Sequence, residues 1–182
     1  MDFFKECRRA IKRIEDSTAY KQFMFEYEVH EKIIVLGNGG SNAIASHIAQ
    51  DFTKRGGKVG MSFSDPSMLT CFMNDYGVEE AYKKYLEAFA DKNTLVILIS
   101  SSGNSDNIVR CVEYCESVGM CYGVLTAFDP YNRVRETVGR HNQFDRVREK
   151  VGGHNQFDYY VNTMSYGVAE CVHQIFLHGA VE

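Results

Sequence analysis

Five short apolar runs, at about 32–37, 58–63, 94–100, 121–127 and 156–162, read as strands. The first is Ile33-Ile34-Val35-Leu36-Gly37 and the third ends Ile97-Leu98-Ile99-Ser100, both buried in character. Between or after them, apolar residues recur at helical spacing over 42–55, 78–91, 105–118 and 164–179. Residues 2–30 also read as helical, with Phe3, Cys7, Ile11 and Ile14 on one face and a break at Asp16-Ser17-Thr18. Strand and helix alternate, which predicts a three-layer αβα sandwich around a parallel sheet. The two prolines, Pro66 and Pro130, fall in the expected loops.

Two of the strand-to-helix junctions carry chemistry. In Ser100-Ser101-Ser102-Gly103-Asn104-Ser105 an apolar strand meets a hydroxyl-rich turn and then a helix start, where unpaired N–H groups and the macrodipole favour an anion. Such a cluster alone is equally a turn with an N-cap. A second junction of the same kind, Gly37-Asn38-Gly39-Gly40-Ser41, makes two loops closing on one ligand the better reading. The serine turn lacks the Lys-Ser/Thr ending of a nucleotide loop, and the glycine turn lacks the third glycine of a dinucleotide fingerprint, so a compact sugar phosphate is expected.

The 182 residues, 45% of them hydrophobic, suffice for one core and predict a single domain, 1–182. Net charge is −4 with no basic stripe, which argues against nucleic acid as a partner. The charged start Met1-Asp2-Phe3-Phe4-Lys5-Glu6 and the lack of a long apolar run argue against a signal peptide or membrane span, and predict a cytoplasmic protein. Cysteines 7, 71, 111, 115, 121 and 171 show no Cys-x-x-Cys spacing and are expected as buried free thiols. The aromatic-rich leading segment, 1–31, is expected to contact another subunit. Residues 133–145 recur almost unchanged as 146–158, a tandem duplication whose second copy is expected to supply the last strand and whose first copy is expected as spare surface. His141 and His154 within it are expected to face solvent.

Among groups able to do proton or metal chemistry, His47 and Asp51 lie one helical turn apart, and Glu170, His173 and His178 fall on the last helix. Each group alone is as readily a surface pair or a structural histidine. In order and spacing, Gly37-Asn38-Gly39-Gly40-Ser41 with His47 and Asp51, then Asn74-Asp75-Tyr76-Gly77, then the serine turn, then Glu170-Cys171-Val172-His173 with His178, resemble the phosphoheptose isomerases of the SIS (sugar isomerase) domain family. The resemblance runs over about residues 32–180.

It implies a five-stranded parallel sheet, a homotetramer with active sites at subunit contacts, and conversion of sedoheptulose 7-phosphate to D-glycero-D-manno-heptose 7-phosphate through an enediol in bacterial heptose synthesis. By position it implies that Asn38, Gly39, Gly40, Ser41, Asp75, Ser100, Ser101, Ser102, Ser105 and Glu170 contact substrate, that Asp51 and His178 are catalytic, and that His47, Asp51, Glu170 and His178 hold zinc. Asp51 stands where the family has glutamate, Glu170 where it has glutamine, and Gly167 where it often has aspartate. Glu170 and His178 are separated by about 12 Å of helical rise, so one ion is expected to draw them from different copies. The other readings are a non-catalytic SIS scaffold, such as one assisting a replication initiator, a sugar-phosphate sensor, or an isomerase of another phosphosugar.

Overall fold

The computed structural model describes residues 2–142 and 156–182. In chain order the elements are α1 (Phe3–Ile11), α2 (Thr18–Val29), β1 (Lys32–Gly37), α3 (Gly40–Lys54), β2 (Val59–Ser62), α4 (Pro66–Tyr76), α5 (Ala81–Phe89), β3 (Thr94–Ser100), α6 (Asp106–Val118), β4 (Tyr122–Ala127), α7 (Arg133–Asn142), β5 (Gln156–Val161) and α8 (Tyr166–His178). The five strands form one parallel sheet in the order β2-β1-β3-β4-β5.

The central strands are apolar throughout because both of their faces are covered. Ile33, Val35, Leu95, Ile97, Ile99 and Leu125 enter one core, shared with buried residues of α2, α3 and α8. Their neighbours Ile34, Leu36, Val96, Leu98, Tyr122 and Val124 enter a second core, shared with α5, α6 and α7. At the sheet edge β5 alternates instead, burying Phe157, Tyr159 and Val161 while Gln156, Asp158 and Tyr160 are half-buried. Phe176 of α8 stacks on Tyr159, with ring centroids 4.3 Å apart, and on Phe23 of α2 at 5.1 Å. Ser17 caps α2, which explains the break in the leading helical segment.

Two helices absent from the apolar pattern are present. The α4 helix fully buries none of its residues and only half-buries Met68, Leu69, Phe72 and Met73 against the second core; Asp65 as N-cap and Pro66 in the first turn mark its start. The α7 helix is the first copy of the duplication and is not spare surface. Val134 and Val138 are buried in the second core, Arg135 Nε lies 2.7 Å from Asp158 Oδ2, and the Arg135 guanidinium sits 4.9 Å from the centre of the Tyr160 ring. A surface reading failed here because the two valines, one turn apart, were too few to give a strong period. The second copy supplies β5, as expected. Residues 143–155, with His154, lie outside the described residues, as does the His141 side chain. All six cysteines are free; four are buried, but Cys71 and Cys171 are exposed, against expectation.

From β1 the chain passes to β2 on one side and then crosses to β3 on the other. The loops leaving β1 and β3 therefore diverge and open a crevice at their carboxyl ends, where α/β sheets of this order bind ligands. Both phosphate-type turns leave the sheet at this point. Among the described residues no helix is long and apolar enough to cross a membrane.

Candidate functional site

The two turns are joined by a reciprocal amide pair. Asn38 Nδ2 donates to Asn107 Oδ1 and Asn107 Nδ2 donates back to Asn38 Oδ1, each at 2.9 Å. Asn107, in the first turn of α6, is buried and was missed in the sequence; its place two residues after Ser105 was the available signal. Tyr82 donates its hydroxyl to the Gly37 carbonyl at 2.8 Å, and burial pushes the phenol pKa up to about 12, so it stays neutral and fixes the glycine turn.

The four serines of the second turn differ in their environments. Ser105 occupies the N-cap of α6 without making a side-chain cap bond, and its hydroxyl accepts from Ser100 Oγ at 3.3 Å. Ser102 Oγ accepts the Asn104 N–H at 3.2 Å, stapling the turn. Ser101 Oγ is buried with no hydrogen-bond partner among the described residues, a position that a ligand oxygen would satisfy. Gly103 has φ +66°, and a Cβ there would meet Asn132 at 2.0 Å, so no other residue fits this turn without moving it. Ser41, in the first turn of α3, is buried.

Along α3, His47 and Asp51 sit on one face, and α8 packs beside them so that its last residue, His178, reaches the same carboxylate. Asp51 Oδ2 lies 3.4 Å from His47 Nε2 and 3.5 Å from His178 Nδ1, and the two imidazole rings meet edge-on at 5.2 Å. The Asp51 side chain is 10% exposed and that of His47 is 46%, so a buried carboxylate opens to solvent through one imidazole. Gln174 Nε2 lies 3.3 Å from His178 Nε2 and orients that ring. One donor atom from each of His47, Asp51 and His178 falls within 4.8 Å of the others. Two imidazoles and a carboxylate are a donor set that suits zinc. The three residues fit such an ion.

The remaining candidates sit elsewhere. Glu170 lies against the glycine turn of its own chain: a Cβ at Gly40 would be 2.1 Å from Glu170 Oε1, so glycine permits the approach. It is not part of the group around Asp51. Asp75 is exposed near the end of α4 and bonds with Asn74 and Cys71 on the same helix. Gly39 is the N-cap of α3. His173 is fully buried, with Nε2 3.2 Å from the Thr126 carbonyl, and burial lowers its pKa to about 4; it is a neutral core residue. Gly167 faces the Phe3 ring, with 3.3 Å between a Cβ there and the ring.

No protein-family model matches the chain. A curated phosphoheptose isomerase from Sodalis glossinidius is 38% identical over 128 residues, which cover 68% of this chain and 65% of that protein. The match thus spans slightly less than two thirds of that relative. Among solved structures, phosphoheptose isomerase GmhA from Neisseria gonorrhoeae aligns with a TM-score of 0.78 at 24% identity, covering 98% of this chain and 93% of that one. A phosphoheptose isomerase from Francisella tularensis aligns with a TM-score of 0.75 at 19% identity, over 98% and 92%. The structural likeness fixes the fold: the chain shares the fold of these two solved phosphoheptose isomerases and is similar in sequence to curated ones over about two thirds of its length.

Proposed function

We propose that the protein is an aldose–ketose isomerase that converts sedoheptulose 7-phosphate to D-glycero-D-manno-heptose 7-phosphate. The observation that carries this reading is the buried Asp51 carboxylate between two imidazoles, on the helix that starts at one of two phosphate-type turns. The serine turn and the α6 N-terminus hold the distal phosphate, with Ser101 Oγ as a buried donor that has no partner among the described residues. Binding energy from that phosphate positions the reacting carbons. Asp51 takes the proton from C1 of the ketose while His178 donates one to the carbonyl oxygen at C2, giving the enediol. The same groups then return a proton to C2 and remove the one on the C1 oxygen. A zinc ion held by His47, Asp51 and His178 would supply Lewis-acid polarisation of the substrate oxygens. Glu170, beside the glycine turn, orients a sugar hydroxyl.

In the same reading the enzyme works in the cytoplasm as a homotetramer, without nucleic acid or membrane partners. Support for assembly comes from apolar side chains left exposed on α1, α2 and the start of α8, among them Phe4, Phe25 and Tyr166. One observation favours a sugar-phosphate sensor or scaffold instead: aspartate at 51 is one methylene shorter than the family's glutamate. Turnover decides between them. Incubation with sedoheptulose 7-phosphate, with and without chelator, is expected to give an aldose 7-phosphate by NMR; binding without isomerisation in the presence of added zinc would overturn the enzyme reading.

A further inference from the structure

A second group of ligating side chains lies at the amino ends of the strands, the end of the sheet away from the crevice. Glu26 is in the last turn of α2, His30 is the C-cap of that helix, and Cys121 immediately precedes β4. Cys121 Sγ is 3.2 Å from Glu26 Oε2, and His30 Nδ1 is 3.6 Å from the same oxygen. One donor atom from each of the three residues lies within 4.8 Å of the others. A tetrahedral ion with its usual bond lengths to sulfur, nitrogen and oxygen holds such donors about 3.3–3.6 Å apart. The 3.2 and 3.6 Å separations are within a few tenths of an ångström of that spacing.

Glu26 and Cys121 are buried and His30 is half-buried, so the carboxylate is withdrawn from water. Among the described residues its ion-pair neighbour is His30, which carries charge only when protonated. Burial, and then Glu26 itself, holds the Cys121 thiol pKa far above the usual thiol range, so without an ion the thiol proton bridges sulfur and carboxylate. We propose that Glu26, His30 and Cys121 form a binding site for a thiophilic divalent cation of the zinc class, separate from the group around Asp51. On binding, the thiol proton leaves to solvent, and thiolate and carboxylate together neutralise the dication. The imidazole Nδ1 gives up its 2.8 Å bond to the Glu26 carbonyl, which still accepts the His30 backbone N–H at 3.2 Å. Three protein donors leave a fourth position to water.

Cobalt(II) as probe separates the two groups, because only one contains sulfur. Titration of the full chain with Co²⁺ is expected to give a near-ultraviolet thiolate-to-cobalt charge-transfer band that saturates at one ion per chain. The band is expected to persist in the His47→Ala/His178→Ala double variant and to vanish in Cys121→Ser. Glu26→Gln and His30→Gln, which keep the thiol, are each expected to weaken Co²⁺ binding at least tenfold, and they decide the matter if Cys121→Ser does not fold. Absence of the band in the wild-type chain, its survival in Cys121→Ser, or unchanged affinity in both amide variants would leave a hydrogen-bonded structural triad and overturn the proposal. Because the site lies at the amino ends of the strands and the crevice at their carboxyl ends, failure here leaves the isomerase reading untouched.

Discussion

Asp51 carries most of the chemical argument, because among the described residues it is the carboxylate in contact with the imidazoles of both His47 and His178. If it and His178 move the proton, Asp51→Asn and His178→Gln are each expected to lower kcat by about 100-fold or more, with phosphate-containing ligands still bound. Asp51→Glu then reports whether the pocket has closed around the shorter acid: preserved turnover means the family geometry survives, and loss means it has been rebuilt. Asn107 acts through Asn38. Truncation in Asn107→Ala leaves a buried amide half-paired and frees one turn from the other, so KM is expected to rise about tenfold, equivalent to about 1.4 kcal/mol, with kcat little changed. His173 gives a pH signature. Its native pKa, about 4, lies below that of the unfolded chain, so the unfolded state binds more protons between the two values. Stability is therefore full above about pH 6.5 and falls toward pH 4 by up to about 1.4 kcal/mol per pH unit. Thermal midpoints across this range are expected to fall more steeply for the wild type than for His173→Gln. Helical position alone does not separate His173 from His178, and only the resemblance singled out His178; the packing of α8 onto Thr126 shows that the His173 ring is core.

At the level of elements, legibility followed burial. The three central strands announced themselves because both faces are covered, and the two phosphate-type turns followed directly from where those strands end. The α4 helix fully buries nothing, and its traces in the sequence are the Asp65-Pro66 start and the half-buried Met68, Leu69, Phe72 and Met73. The α7 helix was hidden by the duplication, which made one copy look redundant. That redundancy is testable now that α7 is seen to pack. Deleting residues 133–145 joins Asn132 to Arg146, and the chain again reads Arg-Val-Arg-Glu, a variable residue, then Val, so the buried valines and the arginine facing Asp158 are all restored in sequence. The second copy carries Gly152-Gly153 where the first has Gly139-Arg140, which suits a helix stop before the strand. The deletion variant is expected to unfold cooperatively with a midpoint within about 5 °C of the wild type, a change of roughly 1–2 kcal/mol. Val134→Asp in the full chain, which buries a charge in the second core, is expected to cost more than this. Loss of cooperative melting in the deletion variant would show that the longer connection itself is needed.

For the whole molecule the open question is whether one chain holds a complete site. His47, Asp51 and His178 come together within a single copy, and Glu170 meets the glycine turn of that same copy outside this group; the expectation was that one ion would draw Glu170 and His178 from different copies. Yet the first helices and the start of α8 leave Phe4 69%, Phe25 60%, Met164 72% and Tyr166 60% exposed, a spread of large apolar side chains that a 20.7 kDa monomer would present to water. Phe3, next to Phe4, already rests on Gly167, three residues before Glu170, so a neighbour docked on this face would stand close to the crevice. The expected outcome is a particle several times the chain mass by light scattering, converted toward monomer by Phe4→Asp with Phe25→Asp, substitutions that remove no described hydrogen bond. If a neighbour closes the site, the monomeric variant loses turnover while any zinc binding proposed for His47, Asp51 and His178 is unchanged from the wild type. Full turnover from a confirmed monomer would mean instead that the crevice between β1 and β3 is sufficient by itself, and that the apolar face serves assembly alone.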